Sequence, residues 1–401
     1  MTRTARRATD GTAWQAHLVA AAGCGVVGVL VRLVGPSLPV ALATVGLGIG
    51  LIGASFLLAW AADAGEAVFH GGFVLAVIAL VAVLPEFTIE THFAYIQETE
   101  LVTANLTGAT RLLLTGATAL PLAVAFVARR RGQPAASLQL AATRRLELAI
   151  LLIASIFAIQ IIARGTLAVG DGIILVALYV LYARRVQGTE EEPAVLGVPA
   201  GLLSLPPRYR RSAVAGLILV AAAVVFVVAN PFADALLATG TSLGIDPYFL
   251  IQSVVPVATE APEFVIVAVL VANRRPAQGL ALLLASAVSQ WTLAMGALPF
   301  AYLAGGGTTS MPLSAREQLE LGFTTAVTLF AVAALASLKP ERADAALIVG
   351  VLAVELLYPS AIVRIAGAFV LLAFAIDLFF SRRHDVRPMF RTVFARRAPS
   401  G

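Results

Sequence analysis

The chain has 401 residues, of which 59% are hydrophobic and only 13% charged. A soluble domain carries about 25% charged residues, and a chain this apolar cannot cover its own surface with polar groups. Composition therefore excludes a cytoplasmic enzyme, a disulfide-stapled secreted domain and a nucleic-acid binder, and points to an all-α polytopic membrane protein. The single cysteine, Cys24, leaves no internal disulfide framework and no multi-cysteine metal site. The net charge of +5 sits mainly in arginines between apolar runs, where it reads as a topology signal facing an anionic leaflet.

About 20 apolar residues carry a helix across the hydrocarbon core. That measure predicts about 12 transmembrane helices, at 15–34, 39–63, 72–97, 101–128, 146–163, 168–183, 213–236, 247–273, 277–304, 317–337, 344–358 and 362–380. The first could instead be a signal peptide, with Arg3, Arg6 and Arg7 as its n-region and Ala41-Leu42-Ala43 as a cleavage site. The apolar run is longer than a signal core, which favours a retained helix. The last two spans could be one helix broken at Pro359.

Arginines set the orientation. Arg129, Arg130, Arg131, Arg144 and Arg145 follow the fourth span, and Arg184, Arg185, Arg208, Arg210 and Arg211 follow the sixth. Arg274 and Arg275, Lys339 and Arg342, and Arg382 and Arg383 follow the eighth, tenth and twelfth. The loop after the second span has no Lys or Arg, and the opposite loops hold few cations, Arg164 being the clearest. This positive-inside pattern places both termini in the cytoplasm. The expected setting is a bacterial or archaeal plasma membrane. Residues 184–212, with Glu190, Glu191, Glu192 and four prolines, read as a cytoplasmic linker. It joins a first half at 39–183 to a second at 213–358, with 1–38 and 359–401 as an added helix at each end.

The two halves share a motif. The third span contains Val83-Leu84-Pro85-Glu86-Phe87 and the eighth Glu260-Ala261-Pro262-Glu263-Phe264. Asn105, Gly108, Thr110 and Gly116 to Pro121 follow the first; Ser286, Ser289, Gln290 and Gly296 to Pro299 follow the second. Five spans separate the copies, so they enter the membrane from opposite sides as two inverted-topology five-helix repeats. Secondary transporters built this way hold their site at the midplane, where the repeats meet. A carboxylate at mid-membrane costs several kcal/mol, so two at matching positions are poorly explained as accident. A proline before each frees backbone carbonyls, and carbonyl, carboxylate, hydroxyl and amide oxygens make a hard-cation site.

Glu86 and Glu263 are the leading ion-binding or proton-carrying carboxylates, and the expected metal ligands. Glu260, one turn before Glu263, either joins them or forms a salt bridge with Arg111. Glu90 lies one turn after Glu86, whereas Glu98 and Glu100 read as a solvated rim. Asn105, Thr107, Thr110, Ser286, Ser289 and Gln290 are neutral oxygen donors whose alternative is interhelical hydrogen bonding. His92 reads more readily as a satisfied polar residue than as a proton relay. Asp63, Glu66 and Asp234, near helix ends, read as capping or gate residues. Gly46, Gly48, Gly50 and Gly53 read first as helix-packing residues.

At these residues the sequence resembles the cation/Ca2+ exchanger superfamily, which includes the sodium/calcium exchangers. Its two repeats each carry a Gly-Thr-Ser-x-Pro-Glu segment and then a Gly-Asn-x-x-Gly-Ser-Asn segment. Leu243-Gly244-Ile245-Asp246-Pro247 resembles the loop before the family's second motif helix, and Thr259-Glu260-Ala261-Pro262-Glu263 resembles the motif itself. Ser286 and Gln290 fall at the spacing of the family's first Asn and its Ser; Asn105 and Gly108 match Asn-x-x-Gly. The resemblance implies a ten-helix exchanger core. Glu260 departs from the small hydroxyl residue of the motif, and Val83 and Leu84 from its hydroxyl-bearing stretch. Thr110 stands where the second Asn would be, followed by Arg111. The fixed charge of Arg111 resembles the role of a bound cation, and a divergent branch with such an arginine resembles sodium:proton exchangers.

The resulting expectation is a secondary antiporter, not an enzyme, exchanging Na+/H+ or Na+/Ca2+ through midplane carboxylates, with Arg111 tuning charge. The alternatives are an ion channel or a non-transporting membrane scaffold, and last an intramembrane enzyme built on Glu90, His92 and Glu98. No cofactor is expected, and the partners are membrane lipid and small inorganic cations such as Na+, Ca2+ and H+, with no nucleic acid. The oligomeric state is left open.

Overall fold

Long apolar stretches punctuated by Gly and Pro give helices here because lipid offers the backbone no alternative hydrogen-bond partners. The computed structural model describes residues 13–69, 81, 83–132, 134, 138–186 and 196–394. Arg3, Arg6, Arg7, most of the first part of the 72–97 span, and Glu190, Glu191, Glu192 and Pro193 lie outside the described residues. The chain divides into two compact units, each drawing on both halves of the sequence: the described residues of Met1–Ile89 with Glu190–Pro262, and Glu90–Thr189 with Glu263–Gly401. Two of the three boundaries, at 89/90 and 262/263, fall within three residues of a Pro-Glu pair.

Unit 1 contains α1 (Ala13–Val34), α2 (Val40–Val68), a short α7 (Val198–Leu203), α8 (Pro207–Ser242) and α9 (Pro247–Thr259). The start of α3 (Leu84–Tyr95) also belongs to it. Small residues set the packing of α1 on α2. A Cβ on Gly28 would lie 2.7 Å from the Gly50 Cα, and one on Gly53 would lie 2.6 Å from the Ala21 carbonyl oxygen. Gly48 meets the Phe232 ring of α8. Of the glycines singled out in the sequence, Gly50 and Gly53 allow close backbone approach, while Gly46 and Gly48 make room for the Val31 and Phe232 side chains. At one end of the bundle Ala64, Val68, Val198, Leu202 and Val214 form an apolar core against which Trp14 and Leu18 pack. α8 has 36 residues and so runs about 54 Å, well beyond a hydrocarbon core of about 30 Å.

Unit 2 contains the rest of α3, then α4 (Thr99–Arg130), α5 (Arg145–Arg164), α6 (Val169–Val186), α10 (Ala261–Ala272), α11 (Pro276–Ser289) and α12 (Met295–Ala304). It is completed by α13 (Ala315–Leu335), α14 (Arg342–Leu357), α15 (Ala361–Ser381) and α16 (Arg383–Phe394). α11 and α12 are joined without a break by a π-helical segment, Gln290–Ala294. Thr166–Ala168 and Ser310–Pro312 pair as a short antiparallel ribbon, Leu167 opposite Met311. Gly165 enters it at φ +68°, and Arg164 pairs with Asp171 beside it. Among the described helices long enough to span a membrane α13 is the most buried, and it packs on α4, α5 and α15. Its start is fixed by a capping box between Ser314 and Glu317, and at its end Arg382 donates to the Ala333 and Ala334 carbonyls. A cation is favourable at that negative end of the helix dipole.

Among the described residues eight helices are long and apolar enough to cross a membrane, or nine if the bent pair α9–α10 is one span. Helices α6 and α14, of 18 and 16 residues, cover the 168–183 and 344–358 stretches and are not among those eight. α14 and α15 are separate helices, divided at Tyr358–Ser360 by Pro359 and restarted by the Ser360 hydroxyl, which caps Val363.

The α1–α2 crossing generates a prediction. Gly28→Leu is expected to destabilise the fold by about 1–3 kcal/mol through overpacking, read as a lowered unfolding temperature in detergent. Gly23→Leu, with nothing within 4 Å of its would-be Cβ, is expected to leave that temperature unchanged.

Candidate functional site

Each Pro-Glu motif sits where helical hydrogen bonding is interrupted. Pro85 lies in the first turn of α3, where a missing N–H costs nothing. Pro256 lies inside α9, and Glu260 forms the break between α9 and α10, just ahead of Pro262. A proline has no N–H to donate to the carbonyl four residues back; for Pro256 and Pro262 these are the carbonyls of Gln252 and Ala258. The loop ahead is built for a sharp entry: Gly244 adopts φ +69°, and the Asp246 carboxylate accepts from the Tyr248 N–H at 3.0 Å, with Pro247 at the first helical position.

In unit 1 the Glu86 carboxyl is 4% exposed and hydrogen-bonded to Thr259. The Thr259 hydroxyl also reaches the Val255 carbonyl at 3.1 Å. The two motif residues are thus joined, one from each half of the sequence. Glu260 is likewise buried.

In unit 2 the Asn105 amide donates to the Glu90 carboxylate at 3.1 Å, both side chains fully buried. Among the described residues the buried amide oxygen of Asn105 has no hydrogen-bond partner, nor has that of Gln290 at the start of the π segment. Unpartnered buried oxygens of this kind are costly and suit a cation ligand. Glu263 is half-buried in the first turn of α10. Ser286 is half-buried, and the Ser289 hydroxyl bonds back to the Ala285 carbonyl at 3.2 Å. Thr107 and Thr110 bond back to the Thr103 and Leu106 carbonyls at 2.7 Å. Their hydroxyl hydrogens are occupied within α4, leaving lone pairs as their remaining capacity. Among the described residues no three His, Cys, Asp or Glu side chains gather to hold a metal.

α4 and α13 meet along a polar seam. Thr103, Thr107 and Arg111 recur at helical spacing on α4, and Glu317, Glu320, Thr324 and Thr328 on α13. The Thr103 hydroxyl donates to Glu317 at 3.1 Å, and the Trp291 indole donates to Thr328 at 2.9 Å. Arg111 donates to the Thr107 carbonyl at 3.1 Å and to Glu320 at 2.9 Å, lies 3.7 Å from Glu355, and stacks over the Phe323 ring at 5.3 Å. Arg364 reaches both Glu320 and Glu355 at 2.9 Å. The sequence anticipates a carboxylate beside Arg111, with Glu260 as one alternative; within unit 2 the carboxylates beside it come from α13 and α14. Glu320, Glu355 and Arg364 carried a usable signal, since each is a charge inside an apolar span.

The family model "Sodium/calcium exchanger protein" matches residues 38–186. The chain is 30% identical to the protein of the structure titled H+/Ca2+ Exchanger CAX, covering 96% of this chain and 98% of that one at a TM-score of 0.88. Native YfkE shares the fold at 13% identity and a TM-score of 0.61, covering 89% of this chain and 99% of that one. The sodium-calcium exchanger NCX_Mj shares it at 14% identity and a TM-score of 0.52, covering 85% and 99%. Among curated proteins no match is found. The chain belongs to the cation/Ca2+ exchanger superfamily of membrane antiporters.

Proposed function

We propose that the protein exchanges Ca2+ for protons across the membrane. The observation that carries this reading is the 30% identity to the H+/Ca2+ exchanger CAX over nearly the whole of both chains. The chemistry of the motif residues supports it. A carboxylate that holds a proton cannot also hold a cation, so a buried glutamate whose two occupants exclude each other couples their movements. Glu86 and Glu263 are assigned this role, and Glu90, Glu260, Asn105, Thr110, Ser286 and Gln290 supply further oxygens. In this reading the sequence halves act as inverted repeats of five helices, with an added helix at each end, both termini cytoplasmic, and the motif carboxylates near the midplane.

Sodium is the second reading. Thr110 stands where the family motif has its second Asn, with Arg111 directly after it, and a positive charge there favours a monovalent or proton-coupled exchange. The pairing of Arg111 with Glu320 weighs against it.

Two measurements test the assignment. In proteoliposomes loaded at acidic pH and diluted into alkaline buffer, 45Ca2+ uptake is expected without Na+, and it should collapse when an ionophore dissipates the pH gradient. Uptake that requires internal Na+ would replace H+ with Na+ as the counter-ion, and Na+-driven proton movement without Ca2+ would favour the sodium reading. Glu86→Gln and Glu263→Gln are each expected to lower exchange at least a hundredfold while the purified protein stays monodisperse. Wild-type flux in both would remove the site.

A further inference from the structure

Unit 2 holds four mutually paired charges away from water. Arg111 comes from α4, Glu320 from α13, Glu355 from α14 and Arg364 from α15. Their side chains are 6%, 0%, 11% and 8% exposed. Two guanidinia and two carboxylates sum to zero. The group is larger than Arg111 needs for a partner, since Glu320 alone already bonds it at 2.9 Å.

The position of Arg111 gives this neutrality a consequence. It follows Thr110 directly and stands six residues after Asn105, about 9 Å along the same helix. Uncancelled, its charge would act on any cation held at Asn105, and twice as strongly on a divalent ion as on a monovalent one. Even with the full dielectric of water between them, a unit charge 9 Å from a divalent cation weakens binding about fivefold. Less screening makes the effect larger.

We propose that Glu320, Glu355 and Arg364 are specificity-determining residues: together they cancel the charge of Arg111 inside unit 2 and keep the Asn105–Glu90 region able to accept a divalent cation. The inference rests on the Ca2+/H+ reading above. It assigns a role in ion selection to residues on α13, α14 and α15, none of which belongs to either Pro-Glu motif.

Charge neutralisation tests the proposal by sign. Glu320→Gln and Glu355→Gln each leave one excess positive charge and are expected to raise the KM for Ca2+ at least fivefold. Arg111→Gln and Arg364→Gln leave one excess negative charge and are expected to lower it. The double variant Arg111→Gln/Glu320→Gln restores neutrality and is expected to return KM toward wild type even if kcat falls. A purely structural cluster gives another pattern: all four single variants shift KM the same way or lower only kcat, and the double variant is no better than the singles. That pattern would overturn the proposal. If Glu320→Gln fails to yield monodisperse protein, Glu355→Gln, at the most exposed of the four positions, carries the same sign. Absence of any Ca2+ transport by the wild type would instead defeat the Ca2+/H+ reading, and this inference with it.

Discussion

A guanidinium inside a membrane-spanning helix has to be neutralised where it stands. Water cannot reach it, and an unpaired buried charge costs several kcal/mol. Arg111 meets this constraint through Glu320 and Glu355, and those carboxylates are shared with Arg364. One residue of α4 therefore fixes positions on three other helices. Removing one partner of such a pair typically costs about 3–5 kcal/mol. The seam between α4 and α13 extends the same logic to neutral groups, since threonines along it satisfy their own hydroxyls against carbonyls one turn back.

The two units solve the packing problem differently. Unit 1 relies on glycine contacts between α1, α2 and α8 and on a small apolar core near Trp14. Between lipid-solvated helices there is little hydrophobic gain on association, so close van der Waals fit has to supply the attraction. Unit 2 adds directional bonds: the capping box of α13, the Arg382 contacts at its far end, the charge quartet and the Trp291–Thr328 bond. Directional contacts fix helix rotation as well as spacing, and this is the unit that carries Asn105, Glu90, Gln290 and Glu263.

Much of this was legible in the sequence. Hydropathy located the long helices, because twenty apolar residues have few alternatives in lipid. The repeated Pro-Glu-Phe drew attention to Glu86 and Glu263, and the resemblance at Thr259 to Glu263 pointed to the exchanger superfamily. The partner of Arg111 was not legible. Glu260 stood as one alternative, whereas Glu320 is 209 residues away in sequence, and nothing in a linear pattern ranks one distant carboxylate over another. The π segment was hidden as well, since Gln290 to Ala294 carries no proline or glycine to announce it.

That segment has a geometric consequence. A π turn accommodates one more residue than an α turn, so it acts as a phase shift within an otherwise continuous rod. Ser286 and Ser289 ahead of it and Gly296 and Pro299 behind it are displaced by roughly 100° from where an unbroken 3.6-residue period would set them. The shift lets one helix serve two faces. Gln290 keeps its amide in the polar interior, and Gly296 lies against α6 at the Gly172 carbonyl and the Leu175 and Val176 side chains. A single-residue deletion between Gln290 and Ala294 would restore the regular period, and one of those two faces would have to turn away from its neighbour.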